Sequence, residues 1–153
     1  LGEAEEGWQE LALPDGRTGY TKRDFLEEYY ETAPQIDPAA LRRRVADAAL
    51  AYLDVQYRWG GKSSLGLDCS GLTFMAWFAN GVLLYRDAQI VPGFPVREIP
   101  RETMDVADLL FFPGHVALYL GGGRIVHAST ARTGIKYGYA NYKPILTIRR
   151  IVG

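Results

Sequence analysis

Two spacings of apolar residues divide the chain. Between residues 37 and 81 apolar side chains recur every three or four positions, the period of a helix with one buried face. Leu41, Val45, Ala48, Ala49 and Tyr52 form one stripe, with Asp37 suited to the N-cap and Pro38 to the first turn. Leu72, Met75, Ala76 and Ala79 form a second, which Asp68 can cap and Asn80-Gly81 can end in left-handed fashion. Residues 57–67 lie between them, too rich in Gly and Ser for either period, and read as a loop. From Ala107 the pattern shortens: 107–112, 115–120, 124–129, 135–139 and 145–152 are brief β-rich runs separated by Gly, Pro and Asn. Helices followed by antiparallel strands predict an α+β fold, with the second helix packed on a sheet of about five strands.

The N-terminal stretch follows a different pattern. Residues 7–21 read as two short strands around Pro14-Asp15-Gly16, because alternating Trp8, Glu10 and Ala12 give way to turn formers. An isolated hairpin is marginal in water, so this one needs a partner. It resembles the closing hairpin of a bacterial SH3-like domain, where a tryptophan strand precedes a "DGrtGY" turn; the rest of such a barrel is not in this chain. Residues 22–31 read as a short helix and 32–37, with Pro34 and then Pro38, as a linker. The expected division is therefore 1–31 for the partial SH3-like segment and helix, 32–37 for the linker, and 38–153 for the main domain.

Composition removes several classes of function. With 153 residues, 48% hydrophobic and 23% charged, the chain suits one globular domain with a short appendage, and disorder or coiled coil is disfavoured. Seventeen Lys plus Arg against eighteen Asp plus Glu leave −1, with only Arg42, Arg43 and Arg44 clustered, which argues against a mainly electrostatic nucleic-acid binder. No stretch approaches the roughly 18 apolar residues of a membrane span. A single cysteine, Cys69, excludes an internal disulfide framework and a zinc ribbon.

That cysteine sits where a helix begins. Unpaired N–H groups and the positive end of the dipole stabilise an anion there, which predicts a depressed thiol pKa and a reactive thiolate. The same N–H groups can stabilise an oxyanion. The two histidines, His115 and His127, fall in successive predicted strands joined by Gly121-Gly122-Gly123. If all three glycines form the turn, Ala117 opposes His127 and both imidazoles share a face; a two-residue turn would put them on opposite faces. One cysteine at a helix start and two histidines on one sheet face have the logic of a nucleophile, a base and a group that orients the base.

At this point the sequence resembles the NlpC-type (NlpC/P60) cysteine peptidases, papain-like bacterial enzymes that cut peptidoglycan stem peptides. Tyr57-Arg58-Trp59-Gly60-Gly61 resembles the family's "Y-x-W-G-G" loop and Asp68-Cys69-Ser70-Gly71-Leu72 its "D-C-S-G-L" motif. Ala107-Asp108-Leu109-Leu110-Phe111-Phe112 resembles "G-D-L-l-f-f", with alanine in place of the usual glycine. His115-Val116-Ala117-Leu118-Tyr119-Leu120-Gly121 resembles "H-V-g-i-Y-l-G", and Ile125-Val126-His127-Ala128-Ser129 resembles "i-i-H-A-s". The segment from Leu84 to Gln89 resembles "l-p-R-d-s/a-x-x-Q" in shortened form.

The resemblance implies a papain-like α+β fold and a γ-D-glutamyl-diamino acid endopeptidase without metal or organic cofactor. In it Cys69, His115 and His127 form the catalytic triad, and the Tyr57 hydroxyl lines the oxyanion side. Asp68 and Ser70 hold the free α-amine of L-alanine and the neighbouring D-glutamate, and Arg86 faces a substrate carboxylate or holds its loop. The implied partners are stem peptides or muropeptides, met at the cell envelope or in secreted form, or during murein-peptide recycling in the cytoplasm. Two other readings are a zinc hydrolase ligated by Cys69, His115 and His127, and a wall-binding module whose catalytic residues are idle.

Overall fold

The computed structural model describes residues 4–26, 28–130 and 133–151. At the N-terminus β1 (Ala4–Glu5), β2 (Trp8–Ala12) and β3 (Thr18–Lys22) form a three-stranded antiparallel sheet, which contains the predicted hairpin. Of the helix expected over residues 22–31, the described residues form only a single 3-10 turn at Arg23–Phe25, and 28–31 are irregular. Side chains there find partners elsewhere instead: the Tyr29 ring lies 6.5 Å from that of Phe78, and the Tyr30 hydroxyl accepts a hydrogen bond from Arg44 at 2.7 Å.

Capping chemistry sets both helix starts. In α1 (Pro38–Leu50) the Asp37 carboxylate accepts the Ala40 N–H at 2.9 Å, and Val45, Ala46 and Ala49 turn inward. After α1 come two short paired strands, β4 (Lys62–Ser63) and β5 (Gly66–Leu67), within the predicted loop. In α2 (Cys69–Phe78) the Asp68 carboxylate accepts the Gly71 N–H at 2.7 Å. The buried face of α2 is wider than its predicted stripe: Gly71, Leu72, Thr73, Ala76 and Trp77 are buried, Met75 is half-buried and Ala79 is exposed. The helix is enclosed by α1 on one side and the sheet on the other, so a single stripe does not describe it.

The main sheet has six strands rather than about five: β6 (Val96–Glu98), β7 (Leu109–Phe112), β8 (His115–Gly121), β9 (Arg124–Thr130), β10 (Gly134–Tyr139) and β11 (Thr147–Ile151). Their order is β10-β9-β8-β7-β11-β6, antiparallel throughout. The extra strand, β6, lies between prolines and pairs at the sheet edge with β11. One face, carrying Leu109, Val116, Leu118, Val126 and Ala128, packs with Leu72, Ala76 and Val45 of the helices. The other gathers Leu110, Phe112, Ala117, Tyr119, Ile125 and Ile148 into a second core.

The β8–β9 connection decides where the histidines go. Its turn is two residues, Gly122-Gly123, with Gly121 opposite Arg124. That alone would separate the imidazoles. A register shift at Leu120 inserts one extra residue and restores Leu118 opposite Val126. Continuing by one position sets Ala117 against His127, so His115 and His127 share a face, as the three-glycine expectation required.

A buried ion cluster ties the layers together. Asp108 is fully buried and accepts from Arg42 at 2.9 Å, from Arg150 at 2.7 and 2.9 Å, and from the Asp105 N–H at 2.7 Å. Ala107, just before it, holds φ at +67°, the left-handed region that explains why glycine is usual there.

Candidate active site

The site forms where the start of α2 meets the start of β8. Cys69 is the first residue of α2 and is half-buried. Backbone N–H groups of Val116, Ser70 and Cys69 itself face the sulphur and favour its thiolate. They do not win: burial, the larger effect, together with the Asp68 carboxylate pushes the Cys69 thiol up. The expectation of a depressed thiol pKa is therefore corrected. Desolvating the anion outweighs the helix start, and the resting thiol is protonated at neutral pH.

His115 opens β8 and His127 lies within β9. The Nε2 atom of His115 is 2.9 Å from Nδ1 of His127, with the ring planes 70° apart. Burial, then the charges of His127 and Lys143, bring His115 down to about 4. Burial, then Lys136 and Lys143, bring His127 down to about 4 as well. Both rings are therefore neutral at pH 7. On β10, Gly138 makes room for this arrangement, since a Cβ there would lie 2.9 Å from His127 Nε2.

Asp68, Ser70 and Arg86 form one hydrogen-bonded unit. Arg86 Nη1 donates to Asp68 Oδ1 and Ser70 Oγ, both at 2.9 Å, while Nη2 donates to Gly61 O at 3.0 Å and Asp68 Oδ2 at 3.1 Å. The same carboxylate accepts the N–H groups of Gly60 and Gly71, each at 2.7 Å. Burial pushes the Asp68 carboxyl up, but the bonds from Arg86, Gly71 and Gly60 and the Arg86 charge together hold it below its usual range. Of the two roles expected for Arg86, these contacts fit the one that holds its loop: the guanidinium is engaged by Asp68, Ser70 and the Gly61 carbonyl, and Arg86 is not among the residues lining the cleft. Two of the motifs also interlock here, because a Cβ on Gly71 would lie 2.2 Å from the Gly61 carbonyl oxygen.

Cys69, His115, His127, Tyr57, Asp68 and Ser70 all line one cleft of about 780 Å³. Burial pushes the Tyr57 phenol up, with the nearby Cys69 and Asp68 acting the same way, so it enters the cleft as a hydroxyl. Trp59, 86% exposed, stands at the rim. Among the lining residues that escaped the sequence reading are Tyr142 and Lys143. The Tyr142 ring lies 5.3 Å from His127 and 6.3 Å from His115. They come from an irregular stretch between β10 and β11, where no period or motif marks them; a tyrosine beside a lysine in a polar loop is the whole signal. Among the described residues no three His, Cys, Asp or Glu are grouped to hold a metal ion.

An antiparallel sheet, a cysteine-headed helix and a neighbouring imidazole pair define a papain-like α+β fold. Residues 54–148 match the model of the NlpC/P60 family. A protein named dipeptidyl-peptidase 6 from Lysinibacillus sphaericus is 49% identical over 122 residues, which is 80% of this chain and 45% of that protein. A γ-D-glutamyl-L-lysine dipeptidyl-peptidase of Bacillus subtilis (strain 168) is 39% identical over 87 residues, 50% of this chain and 28% of that one. The chain thus spans less than half the length of these two relatives. Among solved structures, an NlpC/P60 family protein from Bacillus cereus superposes with a TM-score of 0.81 at 22% identity, covering 100% of this chain and 53% of its own. The peptidoglycan hydrolase RipB from Mycobacterium tuberculosis gives 0.68 at 28% identity, covering 78% and 69%. The chain belongs to the NlpC/P60 family.

Proposed function

We propose that this chain carries a cysteine peptidase that hydrolyses the γ-D-glutamyl bond to the third residue, a diamino acid, of peptidoglycan stem peptides with a free N-terminal L-alanine. The observation that carries the reading is the 2.9 Å bond between His115 Nε2 and His127 Nδ1 in a cleft that Cys69 also lines. The name of the Bacillus subtilis relative supports the bond, that of the Lysinibacillus sphaericus relative supports dipeptide release, and the likeness to the peptidoglycan hydrolase RipB supports the substrate class, which would place the activity at the cell wall or on fragments released from it.

The chemistry follows from the protons. His115 donates its Nε2–H to His127 Nδ1, which leaves His115 Nδ1 as the free base. Thiol and imidazole are both neutral at rest, so the proton passes from Cys69 to His115 as the sulphur attacks the γ-carbonyl carbon. The oxyanion develops toward the N–H groups at the helix start and the Tyr57 hydroxyl. Collapse breaks the C–N bond, and His115 Nδ1–H protonates the leaving amine. Water, deprotonated by His115, then hydrolyses the thioester and restores the thiol. His127 stays an acceptor through each state, which its low pKa secures. At the other end of the cleft Asp68 already accepts four close hydrogen bonds, so it meets the alanine ammonium through its charge, while Ser70 Oγ supplies an acceptor.

Steady-state turnover of a stem tripeptide tests the roles. Cys69→Ala and His115→Gln should be inactive, and His127→Ala slowed by about 10⁴, the cost seen when an orienting group is lost. His127→Asn, whose side-chain oxygen can still accept from His115, should retain more. A His115→Gln enzyme more active than His127→Gln would reverse the two roles. Activity lost to a chelator and restored by zinc would favour the metal reading instead.

A further inference from the structure

The cleft lining carries both signs. The Asp68 charge acts on Cys69, whereas that of Lys143, the cationic side chain among the described lining residues, acts on the two neutral histidines. Lys143 is solvent-exposed, and no ion pair involves it among the described residues. Its ammonium stands 5.5 Å from the centre of the Tyr142 ring, the same ring that packs on both imidazoles. Its charge is felt at His115 and at His127. Lys136, paired with His127 across β9 and β10 and so on the same face, adds a second positive charge there.

Reaction geometry decides which half of the substrate meets this wall. His115 hands its proton to the leaving nitrogen, so the residue bearing that nitrogen lies on the imidazole side of Cys69, toward Tyr142 and Lys143. The acyl half extends the other way, toward Asp68 and Ser70. The leaving residue is the third stem residue. Lysine ends its side chain in an ammonium alone, whereas meso-diaminopimelate carries a carboxylate beside its ammonium.

We propose that Lys143 is a specificity residue of the leaving-group subsite, where it selects meso-diaminopimelate over lysine by pairing with the side-chain carboxylate. This rests on the peptidase reading above. Lys143 repels the ammonium of either side chain, and only meso-diaminopimelate offsets this with a carboxylate, so a solvent-facing charge gives a ratio of up to about fivefold. Added salt shrinks that ratio.

The test compares kcat/KM for L-Ala-γ-D-Glu joined to meso-diaminopimelate, to the same residue with its side-chain carboxylate amidated, and to L-lysine. The amide keeps the shape and removes the negative charge. The 153-residue chain should prefer the free carboxylate over both others, Lys143→Gln should bring the three within about twofold, and Lys143→Glu should invert the order. Turnover of all three at equal rates, or a preference that survives Lys143→Gln unchanged, overturns the assignment and leaves the peptidase reading standing. Cleavage of none of them overturns both.

Discussion

Replacing Arg86 by methionine removes four hydrogen bonds at one point and leaves the Asp68 carboxylate with only the Gly60 and Gly71 N–H groups as close donors. The pair is mostly buried, with side-chain exposures of 23% for Arg86 and 9% for Asp68. Breaking a buried pair on one side costs about 3 to 5 kcal/mol, and the partial exposure of Arg86 points to the lower end, about 3 kcal/mol. For a chain of this size that lowers Tm by about 6 to 12 °C. The loss should depend on pH with a definite sign. In the wild type Asp68 is held below its usual range, so its contribution is full above the ordinary carboxylate pKa and is lost as pH falls through the lower folded value. Without Arg86 the carboxyl moves up, the folded variant binds a proton more readily, and the difference between the two proteins shrinks in acid. Urea unfolding of both at pH 7 and pH 3.5 measures it. A difference under about 1 kcal/mol at pH 7 would refute the clamp, and one that does not narrow at pH 3.5 would refute the assignment of its charge.

Gly138→Ala puts a methyl group 2.9 Å from His127 Nε2 at its ideal position; displacing the orienting ring by about 1 Å should cost on the order of 10² in kcat/KM, and a kinetically normal variant would show the ring has room. Because burial pushes the Cys69 thiol up and holds His115 at about 4, iodoacetamide should alkylate the free protein quickly only above the ordinary thiol range of about 8.5. The acid limb of kcat/KM should fall near pH 4 for the same reason, and rapid alkylation at pH 6 or an acid limb near 6.5 would instead indicate a preformed thiolate-imidazolium pair.

What the sequence disclosed was mostly local. Asp37 and Asp68 cap the helices they were expected to cap, because an N-cap bond spans three residues and needs no tertiary partner. The shared face of His115 and His127 also followed from local spacing, although by another route: a two-residue turn and a bulge at Leu120 give the pairing that a three-residue turn would have given. Failures came where distant chain decided. Residues 22–31 have helical spacing, yet Tyr29 and Tyr30 are drawn to Phe78 and Arg44. β6 exists because β11 offers an open edge. The thiol was misjudged because a helix start is visible in a sequence and desolvation is not. Arg86 was legible as a neighbour of the site, but only the fold reveals that it faces Asp68 and Gly61 rather than the cleft.

Mass spectrometry of the products from L-Ala-γ-D-Glu-meso-diaminopimelate tests the proposed activity most directly. The wild-type chain should release the dipeptide L-Ala-γ-D-Glu and free diaminopimelate, while Cys69→Ala leaves the tripeptide intact. Cleavage at the L-Ala–D-Glu bond, or full cleavage by Cys69→Ala, would contradict a Cys69 nucleophile aimed at the γ-glutamyl carbonyl.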